Sequence, residues 1–273
     1  ANAFDSWLDM ARSDVVDAIY IATPTSVKEE ICLVAASNGK HVLVEKPLAS
    51  TASVRRMAAT CGQHDVAFMD ATHFVHHPRN RALIDNLGDL TGTPHTLSST
   101  LQFYLADRGN IRFDRDLEPM GAIGDVGWDN MRAAVEYLPG ANVHANLRRD
   151  PETGAAIGGS GLIVFEDGSN TTWNCAFDAG AFAADLRITG PKGVIEMDNF
   201  LFNQPDNTAT YRHRGRDEDE LVAIPSEYSA AALMFEDFAR LIADKSGREA
   251  YVKASELTQH LLDLSWQSAL ENE

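Results

Sequence analysis

Lys46 closes an apolar run, His41-Val42-Leu43-Val44-Glu45-Lys46-Pro47, with a carboxylate before it and a proline after it. An ammonium at the end of a strand can hold or relay the proton of a substrate hydroxyl, and in open α/β sheets ligands sit beyond the carboxyl ends of the strands. The plain alternative is a strand that stops at a solvated Glu-Lys pair. A second group lies in Gly121-Ala122-Ile123-Gly124-Asp125-Val126-Gly127-Trp128-Asp129-Asn130. Asp125 and Asp129 are four apart, so both carboxylates fall on one helical face, with Trp128 adjoining. Here the alternative is a first-turn acid favoured by the helix dipole, followed by a solvated one. A third constellation, His73, His76 and His77 with Asp125, would serve a metal-dependent hydrolase. It has no acidic ligand at a recognised spacing, and no metal is assigned.

The elements that must position these groups change character along the chain. Phe4 to Arg12 reads as a short amphipathic helix, and Asp17 to Ala22 as a buried strand. Thr23-Pro24-Thr25-Ser26 makes a turn into a helix from Val27 to Asn38, which Gly39 closes. With the strand at 41–45 this forms a compact right-handed βαβ unit. Ser50 or Thr51 caps a further helix, 52–63, before a third strand at 66–69. Beyond Pro78, a long strand at 94–105, strands at 161–165 and 171–177, and strands at 186–189 and 194–197 about Gly190-Pro191-Lys192-Gly193 predict a mostly antiparallel sheet. One helix, 125–138, interrupts it; two more, 228–243 and 255–270, follow. Arg212 to Glu220 reads as a solvated charged loop.

The fold class expected is α/β: the C-terminal half of a Rossmann-type doubly wound parallel sheet, then an α+β domain with a large, mostly antiparallel sheet. The boundaries fall at 1–78, 79–253 and 254–273, the last a helix packing back on the first part. No glycine-rich turn precedes Asp17, so the chain is expected to begin mid-domain.

Composition narrows the partners. Lys plus Arg number 23 against 40 Asp plus Glu, a net charge of -17, which disfavours nucleic acid and anionic membrane surfaces. Lys is scarce relative to Arg and Asp is abundant, a bias that a salt-adapted source or a GC-rich genome would produce. Cys32, Cys61 and Cys175 are widely spaced with no CxxC, as suits a reducing cytoplasm. No apolar run approaches the ~20 residues of a membrane span, and no signal peptide is read at the start.

Three strings together carry a family likeness: Val16 to Thr25 (VDAIYIATPT), Gly39 to Ala49 (GKHVLVEKPLA), and Gly124-Asp125-Val126-Gly127-Trp128. The chain resembles the Gfo/Idh/MocA oxidoreductases nearly end to end, including Met69-Asp70-Ala71, Pro78-Arg79, and Thr258, Asp263 and Ser268 in the last helix. Within that family it looks closest to a dihydrodiol-dehydrogenase-like branch. The resemblance implies NAD- or NADP-dependent hydride transfer at a secondary alcohol carbon of a sugar, polyol or cyclic diol. It makes Lys46 and Asp125 catalytic, with Asp129 where the family usually has His or Tyr. Burial is expected to lower the Lys46 pKa. Ala22, Thr23, Pro24, Thr25, Lys28, Glu45, Lys46 and Pro47 are assigned to the cofactor, Lys28 standing where the family often has His. His73 and Trp128 are assigned to substrate, and Trp128, Phe103 and Tyr104 are weighed as a sugar-pocket floor against plain core. The Lys46-Pro47 bond is expected to be cis. Self-association through the exposed face of the antiparallel sheet is implied. The competing function is a binding or scaffold member of the same fold that has lost turnover.

Overall fold

Val42, Leu43 and Val44 are all fully buried in the computed structural model, which describes residues 3–138, 140 and 142–273. They form β2 (His41–Val44), the middle strand of a parallel sheet between β1 (Ala18–Ile21) and β3 (Phe68–Asp70). The unbroken apolar run has a simple cause: helices cover both faces. Val42 and Val44 share a core with α2 (Thr25–Ser37) and α3 (Thr51–Gln63), whereas Leu43 packs with Met234, Phe238 and Leu241 of α7 (Ala230–Asp244). Gly39 ends α2 at φ +75°, a left-handed conformation that glycine adopts without a side-chain penalty. The first helix, α1, is only Trp7–Arg12, because Ser6 caps it by accepting from the Asp9 N–H at 3.1 Å.

The second sheet has eight strands in the order β11-β10-β9-β8-β4-β7-β6-β5. These are β4 (Thr96–Tyr104), β5 (Asn142–Arg149), β6 (Ala156–Val164), β7 (Asn170–Ala176), β8 (Asp178–Thr189), β9 (Gly193–Met197), β10 (Ala209–Gly215) and β11 (Asp219–Ile224). Only β4 and β7 run parallel; every other neighbouring pair is antiparallel. One face packs under α5 (Gly121–Asp125), α6 (Gly127–Tyr137) and α8 (Arg248–Glu271), burying Leu97, Leu101, Trp173, Leu186 and Ile188. The other face presents Ser98, Thr172, Asn174, Asp185 and Arg187 to solvent.

Two carboxylates help to join the halves. Asp70, at the end of β3, is 2 % exposed and accepts from Thr72 N–H at 3.0 Å, the Thr72 and Ser255 hydroxyls, and Arg132 Nη1 at 2.9 Å. It therefore binds β3, α6 and α8 together. Asp263 of α8 accepts from both the backbone N–H and the hydroxyl of Thr51, each at 2.7 Å, and so caps the start of α3 from across the chain.

Several expectations need correction. The charged stretch Arg212 to Glu220 is a hairpin of β10 and β11 rather than a loop, with His213 turned inward and Arg212 paired to Asp219. The single helix at 125–138 is two, α5 and α6, broken at Val126, and Asp125 ends the first instead of opening the second. Strand β1 is buried on one face only, since Tyr20 remains 43 % exposed. The segment after Pro78 forms a helix, α4 (Pro78–Leu90), with His77 as its N-cap and proline at the first position. Strands β6 and β8 are longer than their apolar cores because glycines and alanines extend them, and β5 escaped the sequence reading altogether.

Candidate active site

Lys46 leaves β2 through a cis Lys46-Pro47 bond, as the sequence reading expected, and turns its ammonium toward the junction of α5 and α6. Gly124 lies on the face of α5 nearest Pro47, where a Cβ would come within 3.4 Å of the ring. Gly121 is more constrained still: its φ is +50° and a side chain would collide with the Ala156 carbonyl of β6. Small residues thus let α5 sit tight between the two sheets.

The Lys46 ammonium donates to the Asp125 carbonyl at 2.6 Å and to Asp129 Oδ2 at 3.0 Å, with Asp125 Oδ1 at 3.5 Å. The four-residue spacing does bring both carboxylates to one cation. Asp125 is held from its other side by Arg112, whose Nε donates to Oδ2 at 2.6 Å and Nη2 to Oδ1 at 3.3 Å. Burial pushes the Asp125 carboxyl up, but the Lys46 and Arg112 cations outweigh it and hold it below the usual carboxylate range. For Lys46 the expected direction is reversed. Burial does lower its affinity for the proton, yet the Asp129 and Asp125 carboxylates win, and the ammonium titrates above an ordinary lysine. Its side chain is only 16 % exposed. A neutral amine base is therefore the wrong description of Lys46 in this arrangement.

Glu45 accepts from the Tyr20 hydroxyl and, through Oε2, from the Lys46 backbone N–H at 3.2 Å. Lys28, 3 % exposed, donates to the Pro47 carbonyl at 2.9 Å and to the Thr25 hydroxyl at 3.2 Å, neither of them charged. Burial pulls its pKa down to about 8, with Glu118 and Glu45 opposing. Ala22, Thr23, Lys28, Glu45, Lys46, Pro47 and Asp125 line one cleft of about 260 Å³, closed by Ile111, Arg112 and Glu118. Glu118 reaches back to α2 and accepts from Thr25 N–H at 2.9 Å and the Thr25 hydroxyl at 2.7 Å. The Ser26 N–H donates to the Leu117 carbonyl at 3.2 Å. Pro24 precedes α2 as its N-cap residue.

Arg112 and Glu118 were missed in the sequence because they stand on an irregular segment with no periodicity to mark them. Trp128 corrects the substrate assignment. It is fully buried, its indole N–H donates to the Thr72 hydroxyl at 2.7 Å, and it belongs to the core. Phe103 packs on Phe177, and Tyr104 is 64 % exposed, so neither floors the cleft. His73 does lie in the field of Asp129, Lys46 and Glu45, and burial holds its imidazole below the ordinary histidine value. The three clustered histidines diverge: His73 stacks on Phe202, His76 pairs with Asp237 at 2.6 Å, and His77 caps α4. Among the described residues, no group of three or more His, Cys, Asp or Glu side chains is arranged to hold a metal.

A site of this kind holds a cation at a strand end, clamped by two carboxylates, beside a cleft that runs along a turn into a helix. Residues 1–72 match the family model described as oxidoreductase family, NAD-binding Rossmann fold. A dTDP-3,4-didehydro-2,6-dideoxy-alpha-D-glucose 3-reductase from Streptomyces antibioticus is 29 % identical over 267 residues, 94 % of this chain and 76 % of the relative. A D-xylose 1-dehydrogenase (NADP(+)) from Haloferax volcanii is 30 % identical over 223 residues, 79 % of this chain and 67 % of the relative. Among solved structures, a 3-ketoreductase from Actinomadura kijaniata in complex with NADP and TDP-benzene superposes with a TM-score of 0.89 at 22 % identity. That superposition covers 97 % of this chain and 82 % of the other, and speaks to the fold. The chain belongs to the Gfo/Idh/MocA family of oxidoreductases.

Proposed function

We propose that the protein transfers a hydride at a secondary alcohol or keto carbon of a sugar or polyol, with NAD or NADP as cofactor and Lys46, Asp125 and Asp129 at the reacting centre. The cleft suits the cofactor in one specific respect: Thr23 Oγ1, on the turn before α2, is buried with no hydrogen-bond partner in the protein. A buried hydroxyl left unpaired costs on the order of 1–3 kcal/mol, and a ligand hydroxyl or phosphate oxygen would relieve it. Ala22, Thr23, Pro24, Thr25, Lys28, Glu45 and Pro47 would line that cofactor, which when bound supplies or accepts the hydride.

The protein's own part is the proton. The observation that carries this reading is the Lys46 ammonium held 3.0 Å from Asp129 and against Asp125. Held charged, Lys46 donates to the substrate oxygen; in reduction it gives that oxygen a proton and takes another from solvent by way of Asp129, and in oxidation the same path runs in reverse, the hydroxyl proton passing through Lys46 to Asp129 and out. Arg112 fixes Asp125, and Asp125 fixes Lys46, so the donor meets the oxygen in one orientation. His73 stands beside this centre as a neutral imidazole on the substrate side.

Replacing Lys46 with Met tests the assignment. Initial rates with NAD and NADP on a panel of aldoses, inositols and keto sugars should fall 10²–10⁴-fold, the range typical of a lost acid/base group, with circular dichroism unchanged. A wild-type chain that binds cofactor yet turns over none of the panel would favour the scaffold reading, which the carboxylate at position 129 motivates.

Two coarser proposals accompany this one. The exposed sheet face, with Ser98, Thr172, Asn174 and Arg187, would meet a second copy through a hydrogen-bonded, wet interface, and sedimentation at one chain mass would contradict it. The three cysteines are buried and unpaired, which supports a reducing cytoplasm, while no helix among the described residues is long and apolar enough to cross a membrane.

A further inference from the structure

His73, Phe202 and Phe182 form a row of rings that begins at the candidate site and ends in solvent. The Phe202 ring centre lies 5.6 Å from that of His73 at an interplanar angle of 22°, and the Phe182 ring 6.0 Å from Phe202 at 38°. His73 is within the electrostatic reach of Asp129 and Lys46, whereas Phe202 and Phe182 are 48 % and 51 % exposed. The loop carrying Phe202 is heavily braced. Buried Arg79 donates to the carbonyls of Asn199 at 2.9 Å, Thr210 at 3.3 Å and Phe200, and the His77 ring meets the Asn207 carbonyl at 2.9 Å. Asn199 Oδ1 accepts from the backbone N–H groups of Leu201 and Phe202 at 3.2 and 2.9 Å. Half-exposed phenyl rings on so fixed a backbone are a preformed stacking surface.

The chemistry of the surroundings selects what would stack there. Residues 178–185 and 198–208, which carry the two rings, include Asp178, Asp185, Asp198 and Asp206 and no Lys or Arg. Asp178 is paired with Arg148 and Asp185 faces the other side of the sheet, so these two segments offer a ligand two phenyl rings and no free cation, and a nucleotide diphosphate would find no counter-charge on them. A pyranose ring, by contrast, presents polarised C–H groups to the negative faces of the phenyl rings.

We infer that Phe202 and Phe182 form an outer subsite for a neutral sugar ring glycosidically joined to the ring that reacts at Lys46, so that the preferred substrate is a glycoside or disaccharide. This rests on the sugar oxidoreductase reading for the inner ring only. The test compares glucose, galactose and xylose with cellobiose, maltose, lactose and dTDP-glucose, by initial rates and by calorimetric binding, in the wild type, Phe182→Ala, Phe202→Ala and Phe202→Trp. The ratio of kcat/KM for disaccharide over its monosaccharide should fall about tenfold in either alanine variant and be kept by Phe202→Trp. Because Phe182 is half in water, its removal leaves the core intact. Turnover with that ratio unchanged in both alanine variants overturns the subsite and leaves the oxidoreductase reading standing. A preference for dTDP-glucose that depends on the same rings overturns the neutral ligand class. Disaccharide binding that weakens in Phe182→Ala, with no turnover of any sugar, keeps the subsite and removes the oxidoreductase reading; neither binding nor turnover overturns both.

Discussion

The protonation of Lys46 and of Asp125 is set by named neighbours, and this is where pH should act. Asp129→Asn removes the carboxylate nearest Lys46, so the ammonium should titrate closer to an ordinary lysine and kcat fall by about 10², read from a pH–rate profile against the wild type. Lys28 offers a separate prediction. Its folded pKa is depressed, so between about 8 and the unfolded value near 10.4 the unfolded chain binds more protons than the folded one. Stability should therefore rise with pH in that window, by up to about 1.4 kcal/mol per pH unit, and Lys28→Met should abolish the rise in urea titrations. Asp70 and Asp125 act in the opposite range. Burial works against each, but Arg132 for Asp70, and Lys46 and Arg112 for Asp125, depress their pKa values. Their contribution is complete above the unfolded value near 3.9 and is lost as pH falls through the folded ones. Arg132→Met should be more costly than either: it leaves Asp70 charged and buried, a change worth about 3–5 kcal/mol in denaturant unfolding.

Among the elements, the cross-chain cap is the most easily probed. Asp263→Ala removes both bonds to Thr51, and the α3 N-terminus should cost about 1–2 kcal/mol in a urea titration with no change in cofactor affinity. The elements legible in the sequence are those whose apolar residues meet cover on a predictable side. Strand β2 was legible because Val42, Leu43 and Val44 face helices on both sides, and α2 because Ile31 and Ala35 face one. Hairpin β10–β11 was hidden by its charges, although Tyr211 and His213 alternate with Arg212 and Arg214 at the strand period; Arg212 pairs with Asp219 across the hairpin and Arg214 with Glu196 of β9 on the other side. For the site, the Asp125–Asp129 spacing and the family likeness of the Lys46 and Asp125 strings pointed to the cluster, while nothing in the sequence pointed to Arg112 and Glu118. Their positions come from how the segment between β4 and α5 folds back against α2 and Asp125, which no local pattern encodes. Trp128 misled because an aromatic beside two carboxylates looks the same in sequence whether it faces ligand or core.

The whole molecule carries a net charge of -17, and many of its carboxylates are exposed. Self-repulsion of this size is screened over about 10 Å at 0.1 M salt, so the melting temperature should climb between 0.05 and 1 M sodium chloride, in scanning calorimetry, more than for a near-neutral protein of the same length. The long final helix α8 adds a constraint on how the protein comes into being. Its Ser255 completes the shell around Asp70, and its Asp263 caps α3, both in the part of the chain that is synthesised first. As the ribosome extrudes the chain from its N-terminus, the parallel sheet waits through some 180 residues for those two partners. Until α8 emerges, Asp70 lacks its Ser255 donor and Thr51 its Asp263 acceptor, so the nascent parallel sheet should stay protease-sensitive and depend on chaperones over that interval.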